Sequence, residues 1–383
     1  MTSPVDTSVK WARYDMPGAP VLKTEAGSLI ALLDAFLVNG WGLQTATSVV
    51  VAGGVATATF PTDHAAIAHS VVLVDGATPS ALNGEQRITA IAPNKVSWAT
   101  TAADGTATGT ITVKMAAAGW NKPFSATNLA VYRSASVQGH GQYLHVNDTS
   151  VLYARVLGYE TMSAVGTGTN PFPTDEQISG GGYWVKGNSQ HSNPVPWLIA
   201  SDGRMVHLFM FASFRGDPGA AYSEVYSFGD LVSPNAAGDP FATLIGVSST
   251  SFTYTDTTGS GGGSTSPGLY VPRPVLRTVG ARTVGIDYET NVQQPRFPDP
   301  SFGGALVSSV YVKEGGGSSG PLTFRGRMPG VYACRANGVQ AVLGMWPTLK
   351  VDAGYFVVSG ISSYSITQAQ APAVALDISG PWR

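Results

Sequence analysis

The pattern of hydrophobic and polar residues along the chain predicts one helix followed by many short strands. In the stretch SLIALLDAFLVNG, at 28–40, the side chains of Leu29, Leu33, Phe36 and Leu37 recur at the three- and four-residue spacing of one helix face. Burying such a stripe contributes on the order of 10 kcal/mol gross. A helix of this length is marginal alone, so it needs a sheet or a partner subunit to cover it.

The ends of this helix have local signals. Thr24 or Ser28 is the expected N-cap, and Asn39-Gly40 is the expected stop because both residues tolerate the left-handed conformation. We expect the helix to fasten an N-terminal arm to the body of the protein or to an adjacent copy. On that hypothesis, deleting residues 1–42 leaves soluble β modules that fail to assemble.

After residue 45 the chain reads as short strands of alternating apolar and polar residues, separated by turn dipeptides. Gly53-Gly54, Pro93-Asn94 and Asp202-Gly203 each lie between two such runs, and Asp202-Gly203 is a strong hairpin signal. Turns recur about every ten residues, a spacing typical of small sandwiches. The predicted fold is therefore mostly β, with small β-sandwich-like modules and tight turns preceded by an N-terminal arm and one short α-helix.

The pattern divides the chain into three units. Residues 1–45 form the arm and helix, 46–130 a small β-sandwich module, and 131–383 a larger β domain. Flexible Gly/Ser loops are expected near 258–268 and 314–320, because these stretches are low in complexity and rich in glycine.

Composition adds that the surface carries few charges. Charged residues are 12% of the chain, about half the usual ~25%, and the net charge is −2. Nucleic-acid binding therefore has no electrostatic support. A sparsely charged surface is what we expect where neighbouring subunits cover much of it. The single cysteine, Cys334, excludes a disulfide within the chain.

Targeting signals are not evident. The first twenty residues lack a charged start followed by an apolar core, so we expect no signal peptide. No apolar run approaches the ~18–20 residues of a membrane span. The protein is expected to be made in a cytoplasm.

Candidate chemistry is sparse. His64 and His69 are five positions apart, as are His140 and His145, and this spacing suits neither one helix face nor one strand face. The carboxylates are scattered, and no nucleophile elbow, phosphate loop or dinucleotide loop occurs. We expect no catalysis, no metal and no cofactor.

Large apolar side chains are the remaining candidates. Trp184 and Trp197 would suit a sugar-binding groove if exposed, although such residues are more often core or interface anchors. The candidate contacts with a partner subunit or a glycan are Leu29, Leu33, Phe36, Trp184 and Trp197.

Six stretches of the chain are distinctive as phrases rather than as catalytic motifs. They are MPGAPVLKTEAGSLIALLDAFLVNGWG, DGATPSALNGEQRITAI, DGTATGTITVKMAAAGWNKPFSATNLAVYRS, YLHVNDTS, ARVLGYETMSAVGTGTNPFPT and GGYWVKG. They resemble a family of uncharacterised virion proteins of tailed bacteriophages and prophages, and the resemblance covers residues 16–230.

The resemblance implies a structural component of a virion, made in the host bacterial cytoplasm, in the tail or baseplate. Its partners would be copies of itself and other virion proteins. Two alternatives stay open: a decoration protein on the capsid surface, and a tail-tip module that binds a host surface glycan or receptor.

Overall fold

The computed structural model describes residues 3–187, 189–211, 224–234, 238–251, 268–288, 307–315, 323–334, 348–351, 354–360 and 373–383. These residues form four antiparallel sheets and one helical stretch near the N-terminus, which confirms the predicted fold class. The Gly/Ser stretches predicted as loops lie outside the described residues, except for Gly268 and for residues 314–315.

The described strands are numbered in chain order. They are β1 (Lys10–Arg13), β2 (Gln44–Thr45), β3 (Ser48–Ala52), β4 (Val55–Thr59), β5 (Val71–Asp75), β6 (Gly84–Ala92), β7 (Lys95–Ala99), β8 (Gly105–Thr106), β9 (Thr112–Met115), β10 (Trp120–Ala126), β11 (Leu129–Ser134), β12 (Tyr143–Asn147), β13 (Tyr153–Ala164), β14 (Thr167–Phe172), β15 (Gly182–Val185), β16 (Trp197–Ser201), β17 (Met205–Met210), β18 (Glu224–Asp230), β19 (Thr243–Val247), β20 (Gly268–Val271), β21 (Arg282–Thr283), β22 (Gly285–Tyr288), β23 (Val307–Glu314), β24 (Thr323–Cys334), β25 (Thr348–Val351), β26 (Gly354–Gly360) and β27 (Ala373–Asp377).

The helical stretch begins as α1 (Ser28–Leu33) and continues as one π-helical segment (Asp34–Asn39). It ends at Gly40, whose N–H donates to the carbonyl of Ala35 and whose φ is 70°. The predicted stop is confirmed, because this left-handed backbone favours glycine. A short 3₁₀ turn, Ser80–Leu82, lies between β5 and β6.

Sheet I has eight strands in the order β2-β9-β5-β6-β7-β4-β3-β8. The first part of β6 pairs with β5, and its second part pairs with β7 after a register shift between Ile88 and Ala90. This shared strand curls the sheet into a half-barrel. The stretch 46–130, predicted as a small sandwich, thus forms this curled sheet and the first strands of the next one. Predicted turns at Gly53-Gly54 and Pro93-Asn94 join β3 to β4 and β6 to β7.

Sheets II, III and IV complete the fold. Sheet II has the order β10-β11-β12-β13-β14, with β15 also pairing with β13. Sheet III is β1-β16-β17-β18-β19-β20-β21, and sheet IV is β22-β23-β24-β27-β26-β25. The predicted hairpin at Asp202-Gly203 joins β16 to β17. The N-terminal arm is not free, because Lys10–Arg13 pairs with β16 as the edge of sheet III.

Sheet III is the central layer, and its strands β16 to β20 are buried on both faces. Ile199 and Leu208 point into a core shared with the helix and with sheets I and II. Leu198 and Phe209 point the other way, into a second core shared with sheet IV. The first core includes residues from all three units predicted at 1–45, 46–130 and 131–383, so these units pack on one another rather than standing apart.

Candidate functional site

The helix residues predicted as contacts lie in the core of the chain itself. Leu29 and Leu33 are fully buried, and Phe36 is 1% exposed. They pack in the core that sheets I, II and III share. No partner subunit or glycan reaches them unless that packing opens.

The two predicted tryptophans are also interior. Trp184 and Trp197 are both 0% exposed, and each indole N–H is already used. Trp184 Nε1 donates to the carbonyl of Gly246 at 3.0 Å, and Trp197 Nε1 donates to that of Pro20 at 3.1 Å. The structure therefore places them as core anchors, and these side chains do not form the glycan groove that was the alternative for them.

The predicted N-caps of the helix do not cap it. Thr24 and Ser28 bond to carbonyls elsewhere, and the N-cap position is Gly27, with φ at 81°. The carboxylate of Asp148, 119 positions away from Leu29 in sequence, accepts the N–H groups of Leu29 at 2.8 Å and of Ile30 at 3.3 Å. A distant acid thus satisfies the free donors of the first helical turn.

Asp148 forms a fully buried ion pair with Lys186, and both side chains are 0% exposed. Burial raises the pKa of Asp148 and lowers the pKa of Lys186, while their mutual contact opposes both shifts. The ammonium's remaining bonds go to the carbonyls of Glu25 and Ser150. With all three donors of the ammonium bonded, the pair is an anchor between helix and sheet II, with no free group for chemistry.

A cluster of titratable side chains lies at one end of sheet III. The Asp230 carboxylate lies 3.3 Å from Nδ1 of His140, accepts from Arg204 Nε at 3.2 Å, and contacts the Thr243 hydroxyl at 3.0 Å. Burial lowers the pKa of His140 despite its contact with Asp230. Arg383 donates to the Asp230 carbonyl. Thr243 is 1% exposed, so this cluster offers no accessible nucleophile. Its bond to Arg383 holds that residue against the end of sheet III.

A second histidine contacts a serine deep in the protein. His207 Nε2 lies 2.8 Å from the carbonyl of Pro329 and therefore carries the proton, so its Nδ1 accepts from Ser227 Oγ at 2.8 Å. Both side chains are fully buried, and burial lowers the pKa of His207 to about 4. The pair links sheets III and IV, and no substrate can approach it.

The outer face of sheet I is nearly uncharged over β3, β4, the second part of β6, β7 and β8. We call the outward-pointing positions of these five strands the uncharged face: Ser48, Val50, Ala52, Val55, Thr57, Thr59, Ala90, Ala92, Lys95, Ser97, Ala99 and Thr106. Lys95 is the one charge among them. Val50 and Val55 are each about two-fifths exposed, and the hydroxyls of Thr57 and Ser97 bond to each other at 2.9 Å. This is a β surface of mostly small side chains.

The outer face of sheet II is aromatic. We call seven outward positions on β10 to β14 the aromatic face: Phe124, Arg133, Tyr143, His145, Leu157, Tyr159 and Pro171. One row runs straight across four strands, because Arg133 pairs with Tyr143, Tyr143 with Tyr159, and Tyr159 with Pro171. Neighbouring strands are about 4.8 Å apart, so this row is about 14 Å long.

The row has one cation and two rings held in position. The Arg133 guanidinium lies 5.0 Å from the centre of the Tyr143 ring, a cation–π distance. The His145 ring meets that of Tyr159 edge-on at 6.3 Å. Burial lowers the pKa of His145 and raises that of Tyr159, so both are neutral near pH 7. A methyl group on Gly168 would lie 2.6 Å from Tyr159 Cδ1, so only glycine leaves room for that ring.

The sequence contained a signal for this face that our choice of candidates missed. Tyr143 and His145 alternate with Leu144 and Val146, which point into the core. Large aromatic residues on the non-core side of an alternating strand are the pattern to look for. The candidates we selected for a glycan were the tryptophans Trp184 and Trp197, and both are buried.

Within the described residues, no three His, Cys, Asp or Glu side chains come together as metal ligands. No helix in the described part of the chain has the length and apolar character needed to cross a membrane. No model of a known protein family matches the chain, and no curated protein matches it.

Proposed function

We propose that this chain is a structural subunit of a tailed-bacteriophage particle, in its tail or baseplate, and that copies dock through the uncharged face. The observation that carries the proposal is that face: twelve outward positions on five strands with one charge, Lys95. Two copies meeting there bring few like charges together and desolvate almost no charge. The resemblance over residues 16–230 supports the virion assignment.

Internal bonding of the polar clusters supports a role without catalysis. The Asp148–Lys186 pair and the His207–Ser227 pair are fully buried, and their polar atoms are used within the chain. Catalytic groups instead need access to substrate and a poised protonation state. These side chains build the fold.

The size of the uncharged face sets the expected strength of docking. Five strands of about five residues cover roughly 24 Å by 16 Å, or about 400 Å². Stable pairs bury about 800 Å² on each partner. Isolated chains should therefore associate weakly, and many such contacts add together in a closed assembly.

Sedimentation velocity over rising concentration tests the docking. We expect a reversible rise in sedimentation coefficient, abolished by the pair of substitutions Val50→Lys and Thr57→Lys, which places like charges across the contact. Val137→Lys is the matched control, since Val137 is fully exposed outside this face. A chain that stays monomeric up to its solubility limit contradicts the docking. Cryo-EM of particles that contain the chain, with no copy in tail or baseplate, contradicts the location.

A further inference from the structure

The aromatic face is basic, although the chain as a whole is slightly acidic. The chain's net charge is −2, yet the outward positions of sheet II described here include Arg133 and Arg155 and no carboxylate. Arg155 is committed, since its guanidinium donates to the Tyr183 hydroxyl and to the carbonyls of Ser179 and Gly181. Arg133 has no carboxylate partner among the described residues.

Arg133 is preorganised for an anion. Its guanidinium is exposed and is held near the Tyr143 ring at 5.0 Å. Gly141 lies beside it, where a methyl group would come within 2.6 Å of Nη2. A guanidinium that is fixed by a ring and open to solvent matches the fork of a carboxylate. This end of the row therefore suits a carboxylate on a ligand.

The other end of the row suits an apolar, flat partner. The ring of Tyr159 is half-buried, and Pro171 continues the surface on the next strand. Aromatic rings at interfaces contribute contact area at little entropic cost. The C–H face of a pyranose would pack against such a ring, and its hydroxyls would bond to the phenol group. The His145 ring supports the Tyr159 ring edge-on, and its Nε2 atom is buried and out of reach of a ligand.

We propose that the aromatic face binds an acidic saccharide, with the sugar carboxylate on Arg133 and a sugar ring packed on Tyr159. Tyr143 holds Arg133, and Gly168 leaves room for Tyr159. The site uses the outer face of sheet II, so it is independent of docking through the uncharged face of sheet I. It lies apart from Trp184 and Trp197, which are buried in the core.

Single-stranded nucleic acid is the competing ligand for aromatic and basic surfaces. Such binding combines stacked bases with a groove of several cations along the phosphates. Here one guanidinium is free, so the surface lacks the charge that a phosphate backbone needs. A ligand with one carboxylate and one sugar ring matches the guanidinium of Arg133 and the ring of Tyr159 better than a phosphate backbone does.

Isothermal titration calorimetry tests the proposal with the full chain. The probes are a panel of oligosaccharides that contain uronic or sialic acid, the same oligosaccharides with their carboxyl groups reduced to alcohols, and a single-stranded oligonucleotide. We expect saturable binding of at least one acidic oligosaccharide, at least tenfold weaker binding after carboxyl reduction, and no comparable binding of the oligonucleotide.

Variants assign the binding to the face. Arg133→Ala and Tyr159→Ala should each weaken binding at least tenfold, whereas Tyr159→Phe, which keeps the ring, should not. Gly168→Ala should weaken binding by displacing that ring. The matched controls are Arg282→Ala and Tyr14→Ala, both exposed and outside sheet II.

The outcomes separate cleanly. Failure of every acidic saccharide to bind, or equal binding of the reduced forms, overturns the proposal. Binding that Arg133→Ala leaves unchanged, or a clear preference for the oligonucleotide, overturns it too. None of these results changes the sedimentation of the chain, so the docking proposal stands or falls separately.

Discussion

Two fully buried titratable side chains in this protein, His207 and Glu224, keep their neutral forms near pH 7. His207 lies between two sheets with a pKa lowered to about 4, and Glu224 is buried with a pKa raised to about 8. Burial is the main cause in both, because a low-dielectric surrounding disfavours the charged form. Glu224 is bonded to the hydroxyl of Tyr226, which also accepts the N–H of Val185. The Tyr226 hydroxyl thus joins sheet III to β15, and the neutral carboxyl of Glu224 accepts its hydrogen bond.

Glu224→Gln should flatten the pH dependence of stability. The folded-state pKa of Glu224, about 8, lies above its ordinary value of 4.5, so the folded state keeps a proton that the unfolded state has lost. The stability that this proton contributes is complete below pH 4.5 and is lost as the pH rises towards 8. Urea unfolding at several pH values between 5 and 8 measures it.

The wild type should lose free energy of unfolding across this range relative to the glutamine variant, whose side chain cannot ionise. Glu176→Gln is the control, since Glu176 is exposed. Parallel curves for wild type and Glu224→Gln would show that Glu224 is charged in the folded protein.

The helical stretch depends on a residue far from it in sequence. Its first turn has no local side-chain cap, and Asp148 supplies the acceptor from the end of β12. Leu29, Leu33 and Phe36 then fill the core beneath it. Deleting residues 1–42 therefore removes core and an edge strand, so the expectation of soluble remaining modules gives way to an expectation of unfolding.

Asp148→Ala should lower the free energy of unfolding by about 3–5 kcal/mol, because it leaves the buried ammonium of Lys186 without its counter-charge. It also removes the acceptor for the first helical N–H groups. Urea unfolding measures the loss. Asp63→Ala, at an exposed aspartate, should stay within about 0.5 kcal/mol of wild type. An equally small loss at Asp148 would mean that the ion pair contributes nothing to the fold.

At the scale of the whole molecule, one buried arginine bonds to segments near both the first and the last described residues. Arg87 on β6 is 5% exposed and donates to the carbonyls of Asp6 at 2.6 Å and Val9 at 3.0 Å. It also donates to those of His69 and Ile378, both at 2.7 Å. A single side chain therefore joins the N-terminal segment, sheet I and the segment after β27.

Arg87→Met should loosen both termini together. The substitution leaves four carbonyl groups without their donor. Each buried acceptor that lacks a donor lowers the free energy of unfolding by about 1–3 kcal/mol. Hydrogen exchange with mass spectrometry should show faster exchange in peptides around Val9 and around Ile378. Lys95→Met, at an exposed site in sheet I, is the control. Faster exchange at one terminus alone would show that the two are held independently.

Sequence reasoning reached the class of fold because its signals are local. Alternation in β3 and β4, the Asp202-Gly203 turn and the stop at Gly40 each depend on neighbours within a few residues. The two-residue period of strands and the residue preferences of turns follow from backbone sterics, which act in the same way at every position of the chain. These local rules were enough to predict a mostly β protein with one early helix.

Only the tertiary structure decided which residues are accessible. Alternation shows that a strand has two faces, but layers from distant parts of the chain decide which face is covered. Trp197 lies in a sheet buried on both faces, whereas Tyr159 lies on a sheet with one open face. In the same way, Asp148 became the helix cap because β12 was brought to it. Burial and capping here depend on contacts between residues far apart in sequence, and no local pattern contains them.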